Sequence, residues 1–173
     1  MKKLIALTLV LVLVAGCSAP TVKMGLGMVS NVSITAAGEK DGKTQVDSTA
    51  CAVTVDANNK IVAISWDVTQ GAAKFNTKGE AVSEAAQNIK SKKELQGEYG
   101  MKKASAIGKE WFEQIAALEA YAVGKTVADV TGMKTKTVGD HTGVPDVEEL
   151  KSGCTMAAGD FLASLTKAAA NVK

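Results

Sequence analysis

The sequence predicts an α+β fold, in which a small antiparallel sheet with a central β-hairpin is packed by several helices. Residues 44–55 and 60–68 are rich in Thr and Val, alternate in polarity, and are joined by a polar turn at 56–59. Farther along the chain, apolar residues recur every three or four positions, which is typical of amphipathic helices. Strands followed by helices indicate one α+β domain.

The predicted strand region begins before the hairpin. Residues 25–37 alternate loosely between small and apolar side chains and predict a strand or a pair of short strands. A polar cluster with two glycines at 37–42 predicts a turn. Trp66 shares the apolar face of the second hairpin strand, so we expect it in the core. Residues 71–79 are predicted to form a loop that carries Phe75.

Two helices are predicted in the middle of the chain. Apolar spacing predicts one helix at 81–89 and a stronger one at 107–122, with Gly124 as its stop. The polar face of the second helix is expected to carry Lys109, Glu110, Glu113 and Gln114.

The last third of the chain is predicted to end in a long helix. One further helical turn is expected at 126–129, a short edge strand at 134–138, and a loop holding His141 at 139–145. Pro and acidic residues at 145–149 predict a first helical turn. The terminal helix is expected to run from Ala157 to about Val172, with an S-G-x-T turn before it.

Residues 1–16 are predicted to be a lipoprotein signal peptide. Lys2 and Lys3 precede the apolar run 4–14, and Val14-Ala15-Gly16-Cys17 matches the lipobox pattern. The apolar run is too short to span a bilayer as a mature helix. An uncleaved N-terminal anchor is the alternative.

Processing at this site would leave acyl chains such as palmitate on Cys17, which anchor a protein without a transmembrane helix. We expect a lipid-anchored tether at 17–23 and a domain at 24–173. The predicted location is the extracytoplasmic face of the cell membrane.

The charge and aromatic content argue against nucleic acid as a partner. The chain has 20 basic and 18 acidic residues, and loss of Lys2 and Lys3 would leave 18 of each. Every basic residue is Lys, and only 4% of residues are aromatic. Arginine clusters and base-stacking platforms are therefore absent from the sequence.

Few residues can support hydrolysis or metal binding. His141 is the sole histidine, no G-x-S-x-G is present, and we expect His141 to be exposed and inert. Cys51 and Cys154 lack metal-site spacing. In an exported protein they could form a disulfide, although two buried free thiols are the simpler expectation.

One segment has the residue types for cofactor attachment, namely Ser152-Gly153-Cys154-Thr155. Gly153 can adopt positive φ, so the turn would leave the Thr155 hydroxyl uncrowded. The following helix would direct free N–H groups toward a bound phosphate. The alternative is that Ser152 or Thr155 merely caps that helix.

The stretch from Glu149 to Thr155 resembles the D-x-x-S-G-A-T segment of the FMN-binding domain family. Glu149 stands in place of Asp, and Cys154 in place of Ala. The chain also resembles small lipoproteins of anaerobic Gram-positive bacteria through residues 45–49 and 99–103.

This resemblance implies FMN bound covalently through a phosphoester to Thr155. Ser152, Gly153 and Glu149 would form the turn recognised by a flavin transferase. The implied function is an electron carrier that serves membrane redox proteins, and not a turnover enzyme. The apolar wall of the flavin slot is expected from Tyr99, Met101, Trp111, Met156 and Phe161. The alternative is a non-redox surface lipoprotein of the same fold that binds a small ligand or an envelope partner.

Overall fold

The computed structural model describes residues 21–83 and 88–173 and confirms the α+β class. A three-stranded antiparallel sheet has the order β1 (Lys23–Thr35), β2 (Gly42–Val55) and β3 (Ile61–Phe75). A second, two-stranded sheet pairs β4 (Thr135–Val138) with β5 (His141–Pro145). The helices in the described residues are α1 (Lys92–Leu95), α2 (Trp111–Ala122), α3 (Val127–Thr131) and α4 (Gly159–Ala170), with short 3₁₀ turns at Gln96–Tyr99 and Glu148–Leu150.

The predicted central hairpin is confirmed as β2 and β3. Its turn is closed by Asp56, whose Oδ1 accepts hydrogen bonds of 2.8 Å from the backbone N–H groups of Asn58 and Lys60. Asn59 takes a positive φ of 59°, a conformation that Asn tolerates better than most residues. The register then sets Cys51 opposite Trp66 on the face that packs against the helices.

Two predictions beyond the hairpin are wrong. Residues 71–75 continue β3 and are not a loop, because they pair with the start of β2, where Gly42 lies opposite Phe75. Residues 81–83 are not helical: Ala81 bridges to Phe75, and the Val82 N–H donates to the Lys74 carbonyl. The rest of the helix predicted at 81–89 falls partly on residues 84–87, which lie outside the described residues.

The strong middle helix is confirmed as α2, and its polar face is partly wrong. It begins at Trp111 and not at residue 107, after a capping box formed by Glu110 and Glu113. Glu110 and Gln114 are both buried. Gln114 lies three residues after Trp111 and therefore shares the inward face of the helix. Gly124 follows the helix end with φ +82°, as expected for a residue that stops a helix.

The last third of the chain is predicted with one clear error. The turn at 126–129 is confirmed as the start of α3, capped by the Thr126 hydroxyl. The edge strand at 134–138 is confirmed as β4, whereas residues 141–145 form its partner β5 and not a loop. Gly143 lies within β5 where the pairing with β4 shifts register, and its φ of +77° accommodates this irregularity.

The terminal helix α4 starts later than predicted. Ala158 is its N-cap residue, and no side chain caps it. The helical turn expected at 145–149 is a 3₁₀ turn at Glu148–Leu150.

The hydrophobic core lies between the sheet and the helices α2 and α4. Trp66 is fully buried, as predicted, and its indole N–H donates to the Phe161 carbonyl at 2.9 Å. The Phe161 ring centroid lies 6.2 Å from that of Trp66 and 6.1 Å from that of Trp111. This aromatic cluster joins β3, α2 and α4, and tilted contacts of this kind add to the stability from burial.

Helix α4 lies against β1 at two glycines. A Cβ at Gly25 would stand 2.0 Å from the Ala168 carbonyl oxygen, and one at Gly27 would stand 2.2 Å from that of Ser164. No other residue type leaves room for this backbone contact. The side chains of Lys167 and Asn171 then donate to the β1 carbonyls of Met28 and Leu26, respectively.

We expect Gly27→Ala to lower the free energy of unfolding by at least about 2 kcal/mol, because the added methyl meets α4 backbone that cannot move aside locally. The matched control is Gly38→Ala, which meets nothing within 4 Å and should change stability by no more than about 0.5 kcal/mol. Urea unfolding followed by Trp fluorescence measures both. Equal effects from the two variants would contradict the close packing of α4.

Candidate functional site

A groove of about 800 Å³ opens on the helix-bearing face of the three-stranded sheet. It is lined by β2 and β3, by parts of residues 92–114 and 136–145, and by the stretch 151–161 that leads into α4. A volume of this size falls in the range that accommodates small ligands and cofactors. Thr155 lies in its wall.

Thr155 is held by Gln114 of α2. The backbone N–H of Thr155 donates to Gln114 Oε1 at 2.9 Å, and the Thr155 hydroxyl donates to the same oxygen at 3.3 Å. Thr155 is half-buried at the groove, so its hydroxyl has an orientation but is not enclosed. Neither Thr155 nor Ser152 caps α4, which removes the capping alternative.

Gln114 satisfies all of its amide groups although it is only 1% exposed. Its Nε2 donates to Ser105 Oγ at 2.9 Å and to the Lys109 carbonyl at 3.3 Å. The residue therefore links the Thr155 segment to the loop before α2. The sequence prediction missed Gln114 by placing it on the polar face, although its spacing from Trp111 and Leu118 matches the buried side of the helix.

The turn before Thr155 is compact. Gly153 and Cys154 both donate their backbone N–H groups to the Leu150 carbonyl, at 2.9 and 2.8 Å. A Cβ at Gly153 would lie 3.0 Å from that of Ala117, so glycine serves close packing on α2. Gly153 does not take the positive φ that the sequence suggested as its reason.

Of the four predicted cofactor residues, Thr155 alone lines the groove. Gly153 is buried behind it, and Ser152 and Glu149 are exposed outside it. The 3₁₀ turn that contains Glu149 contacts α2. Burial, followed by the charges of Glu149 and Asp129, raises the pKa of Tyr121 on that helix. Ser152 and Glu149 are thus accessible to another protein but do not face the groove.

The expected apolar wall is assembled in the groove. All five side chains named for it line the cavity: Tyr99, Met101, Trp111, Met156 and Phe161. Trp111 and Phe161 are buried and form the back, while the other three are half-buried nearer the opening. Aromatic and thioether groups of this kind suit a flat conjugated ring.

Lys92 is a groove residue that the sequence prediction missed. Its Nζ lies 4.6 Å from the Tyr99 ring centroid and 5.6 Å from that of Trp111. Within the described residues Lys92 forms no ion pair, whereas Lys136 pairs with Asp146 and Lys151 with Glu148. Lys92 therefore offers an uncompensated positive charge beside the aromatic wall.

The N-terminus of α4 also reaches the groove. Gly159, Asp160 and Phe161 line it, and their backbone N–H groups have no acceptor in the described parts of the chain. Free N–H groups at a helix start favour anions. Asp160 opposes this preference with a negative charge, although its Oδ2 accepts a hydrogen bond of 2.8 Å from Asn31 Nδ2.

His141 and the two cysteines occupy different environments. His141 is exposed, as predicted, and lies at the groove opening. Cys51 and Cys154 are buried free thiols, which confirms the simpler expectation. Burial, with a smaller effect from Glu119, raises the pKa of Cys51 to about 12, and burial also raises the pKa of Cys154. Both groups therefore remain protonated and unreactive at neutral pH.

The described residues lack both a metal-binding cluster and a membrane-spanning helix. No three His, Cys, Asp or Glu side chains there are grouped closely enough to hold a metal ion. No helix in those residues is long and apolar enough to cross a membrane.

Comparison with known proteins finds chlorophenol reductase of Desulfitobacterium hafniense, which is 34% identical over 117 residues. The alignment covers 61% of this chain and 36% of the reductase, so the chain spans about a third of that relative's length. No family model matches the chain, and neither does a solved structure. The result is a partial likeness to a reductase and does not assign the chain to a family.

We expect Gln114→Leu to lower the free energy of unfolding by about 1–3 kcal/mol, because it leaves the partly buried Thr155 N–H without its acceptor. Amide hydrogen exchange at Thr155 should accelerate in this variant. The matched control is Gln114→Glu, which retains an acceptor oxygen and should keep the Thr155 amide protected. Slow Thr155 exchange in Gln114→Leu would show that another contact holds the turn.

Proposed function

We propose that this chain is a membrane-anchored extracytoplasmic lipoprotein that carries FMN on Thr155 and transfers electrons without a turnover reaction of its own. The observation that carries the proposal is the position of the Thr155 hydroxyl at the wall of an aromatic groove, beside the start of α4. A covalent flavin needs a reachable hydroxyl, an apolar slot and a site for its phosphate. The half-buried Thr155, the apolar wall and the free N–H groups at the start of α4 support these three requirements.

The groove residues fit FMN in two separable parts. A phosphoester on Thr155 Oγ1 would lie near the free N–H groups of Gly159–Phe161, which favour a phosphate. The flavin ring would lie against the apolar wall, where Lys92 supplies positive charge. When bound, FMN would accept and release electrons, and charge beside its ring would tune its potential.

The chain's own residues would position the group and limit its exposure to water. Gln114 would keep the Thr155 backbone in place after attachment, because the N–H bond at 2.9 Å does not involve the hydroxyl that reacts. Trp111 and Phe161 close the back of the slot against solvent. Ser152 and Glu149 are exposed, which suits recognition by a flavin transferase better than contact with the flavin.

The location and the partners belong to the same proposal. The lipobox at Val14-Ala15-Gly16-Cys17 supports a lipid on Cys17 and therefore attachment to the membrane surface. A flavin transferase would load the protein there, and membrane redox proteins would exchange electrons with it. The relative is named a reductase, which supports a redox function for this chain. We do not extend the substrate in that name to this chain.

A second function is favoured by one observation. Asp47 and Asp160 also line the groove, and their negative charges disfavour a phosphate and a reduced flavin. A non-redox surface lipoprotein would use the same groove for an uncharged or cationic small ligand, or for an envelope partner. Titration with free FMN separates the two functions, because only the flavoprotein should bind it.

We expect the wild-type chain, co-expressed with a flavin transferase, to show flavin fluorescence in a denaturing gel and a mass increase of one FMN less one water. Thr155→Val should abolish both signals, because it removes the hydroxyl that forms the phosphoester. Thr166→Val is the matched control, since Thr166 lies on α4 away from this groove, and it should retain the flavin. A wild-type chain that stays unmodified beside a transferase acting on a known substrate would refute covalent attachment.

We expect Lys92→Gln to weaken the binding of free FMN roughly fivefold, which corresponds to about 1 kcal/mol for a partly exposed charge. Lys103→Gln removes a charge from an exposed residue that does not line the groove and should bind FMN as the wild type does. Flavin fluorescence quenching measures both affinities. Equal affinities for the two variants would exclude Lys92 from the binding site.

A further inference from the structure

The large apolar side chains of β1 lie mainly on the exposed face of the sheet and not on the face that packs against the helices. Apart from the half-buried Val29, the large apolar side chains of this strand point away from the helices, as does Val22 just before the strand, and these side chains are 44% to 72% exposed. They occupy alternate positions and form what we term the outer row: Val22, Met24, Leu26, Met28, Val32 and Ile34. An antiparallel sheet with one buried face normally directs such side chains inward.

The packing of α4 explains why these side chains are outside. Gly25 and Gly27 face the core because only glycine allows the α4 backbone to approach so closely. The alternate positions then have to face outward. This packing explains the two glycines. It does not explain why five of the outward-facing residues are large and apolar, since polar side chains at these positions would be compatible with the same fold. These five residues are Met24, Leu26, Met28, Val32 and Ile34.

The surface beside the outer row carries little charge. The cross-strand neighbours on β2 are uncharged: Thr44, Val46, Ala50, Ala52 and Thr54. On the same face of β3 the one ionisable residue is Asp67, and its Oδ1 already accepts hydrogen bonds from the N–H groups of Val68 and Lys93. The outward face of the sheet is therefore a broad and largely uncharged surface.

We propose that the outer row docks on the lipid bilayer to which the chain is anchored. This inference rests on the lipidation of Cys17 in the proposed function. Val22 follows Cys17 by five residues, so extended chain holds the start of the outer row within about 18 Å of the lipid-bearing residue. The interfacial layer of a bilayer is roughly 5–8 Å thick, which an extended row of apolar side chains can enter.

The short tether also favours the bilayer over other occupants. The tether would keep the outer row close to the bilayer and so raise its effective concentration there. Weak apolar contacts would then be enough for docking. Strand pairing with a second copy would need the free edge of β1, and the first half of that edge is already occupied. Its backbone groups at Met24, Leu26 and Met28 bond to Lys173, Asn171 and Lys167, respectively. Docking by the side-chain face does not require that edge.

Docking in this way would determine how the groove is oriented relative to the bilayer. The groove is lined by Thr49, Val68 and Gln70, which lie on the opposite face of the same sheet. The bilayer would therefore cover one face, and Thr155 would be presented to the extracytoplasmic space.

The test uses the full chain processed in a lipoprotein-producing bacterium and reconstituted into phosphatidylcholine vesicles. An environment-sensitive fluorophore is attached through Val32→Cys in one sample and through Lys103→Cys in the control, since Lys103 is exposed in the loop that borders the groove. Cys51 and Cys154 are buried and should not react. Intact mass of each sample reports the lipid on Cys17 separately.

The label at position 32 should shift to shorter wavelength and lose intensity when brominated lipids replace ordinary ones, while the label at position 103 should do neither. A lipidated chain with the same response at both positions would overturn the docking surface and leave the anchor intact. A blue shift at position 32 that brominated lipids do not quench, and that grows with protein density, would assign the surface to a second copy and refute bilayer docking. A chain without lipid would refute the anchor and the docking together.

Discussion

The backbone contact between α4 and β1 is the constraint on which the rest of the structure depends. Gly25 and Gly27 let the helix lie directly on the strand, which carries Phe161 beneath Trp66 and closes the core. The same contact brings the start of α4, and with it Thr155, to the inner face of the sheet. It also turns the large side chains of β1 outward. This one contact therefore determines the position of the groove and the outward direction of the alternate β1 side chains, although not their apolar character.

A second, polar contact determines the shape of the groove. Gln114 joins the turn before α4 to the loop before α2 through a buried amide whose hydrogen bonds are all made. A satisfied buried network of this kind favours one arrangement of its segments, because breaking any member leaves polar groups without partners. Thr155 can then be reachable from the groove and still have a defined orientation. Both properties would favour covalent attachment of a cofactor at this hydroxyl.

Local patterns in the sequence predicted much of the fold and part of the site. The hairpin, α2, α4 and the burial of Trp66 follow from periodicity and turn chemistry, which act within a few residues. Residues 71–75 and 141–145 became strands through partners elsewhere in the chain, and such pairing leaves little local signal. The residues of the groove's apolar wall could be predicted because the sequence contains few aromatic residues. The burial of Gln114 could have been predicted from its spacing to Trp111 and Leu118. Its bond to Thr155 and the position of Lys92 could not, since both depend on which segments meet across the groove.

We propose that FMN is attached to Thr155, and peptide mapping of the transferase-treated chain would locate the attachment site. Cleavage at lysine releases residues 152–167 as one peptide, which contains Ser152, Thr155, Ser164 and Thr166. Fragmentation mass spectrometry then identifies the modified hydroxyl. We expect a flavin on this peptide, located on Thr155. Flavin located on another residue, or an unmodified peptide from a chain exposed to an active transferase, would contradict it.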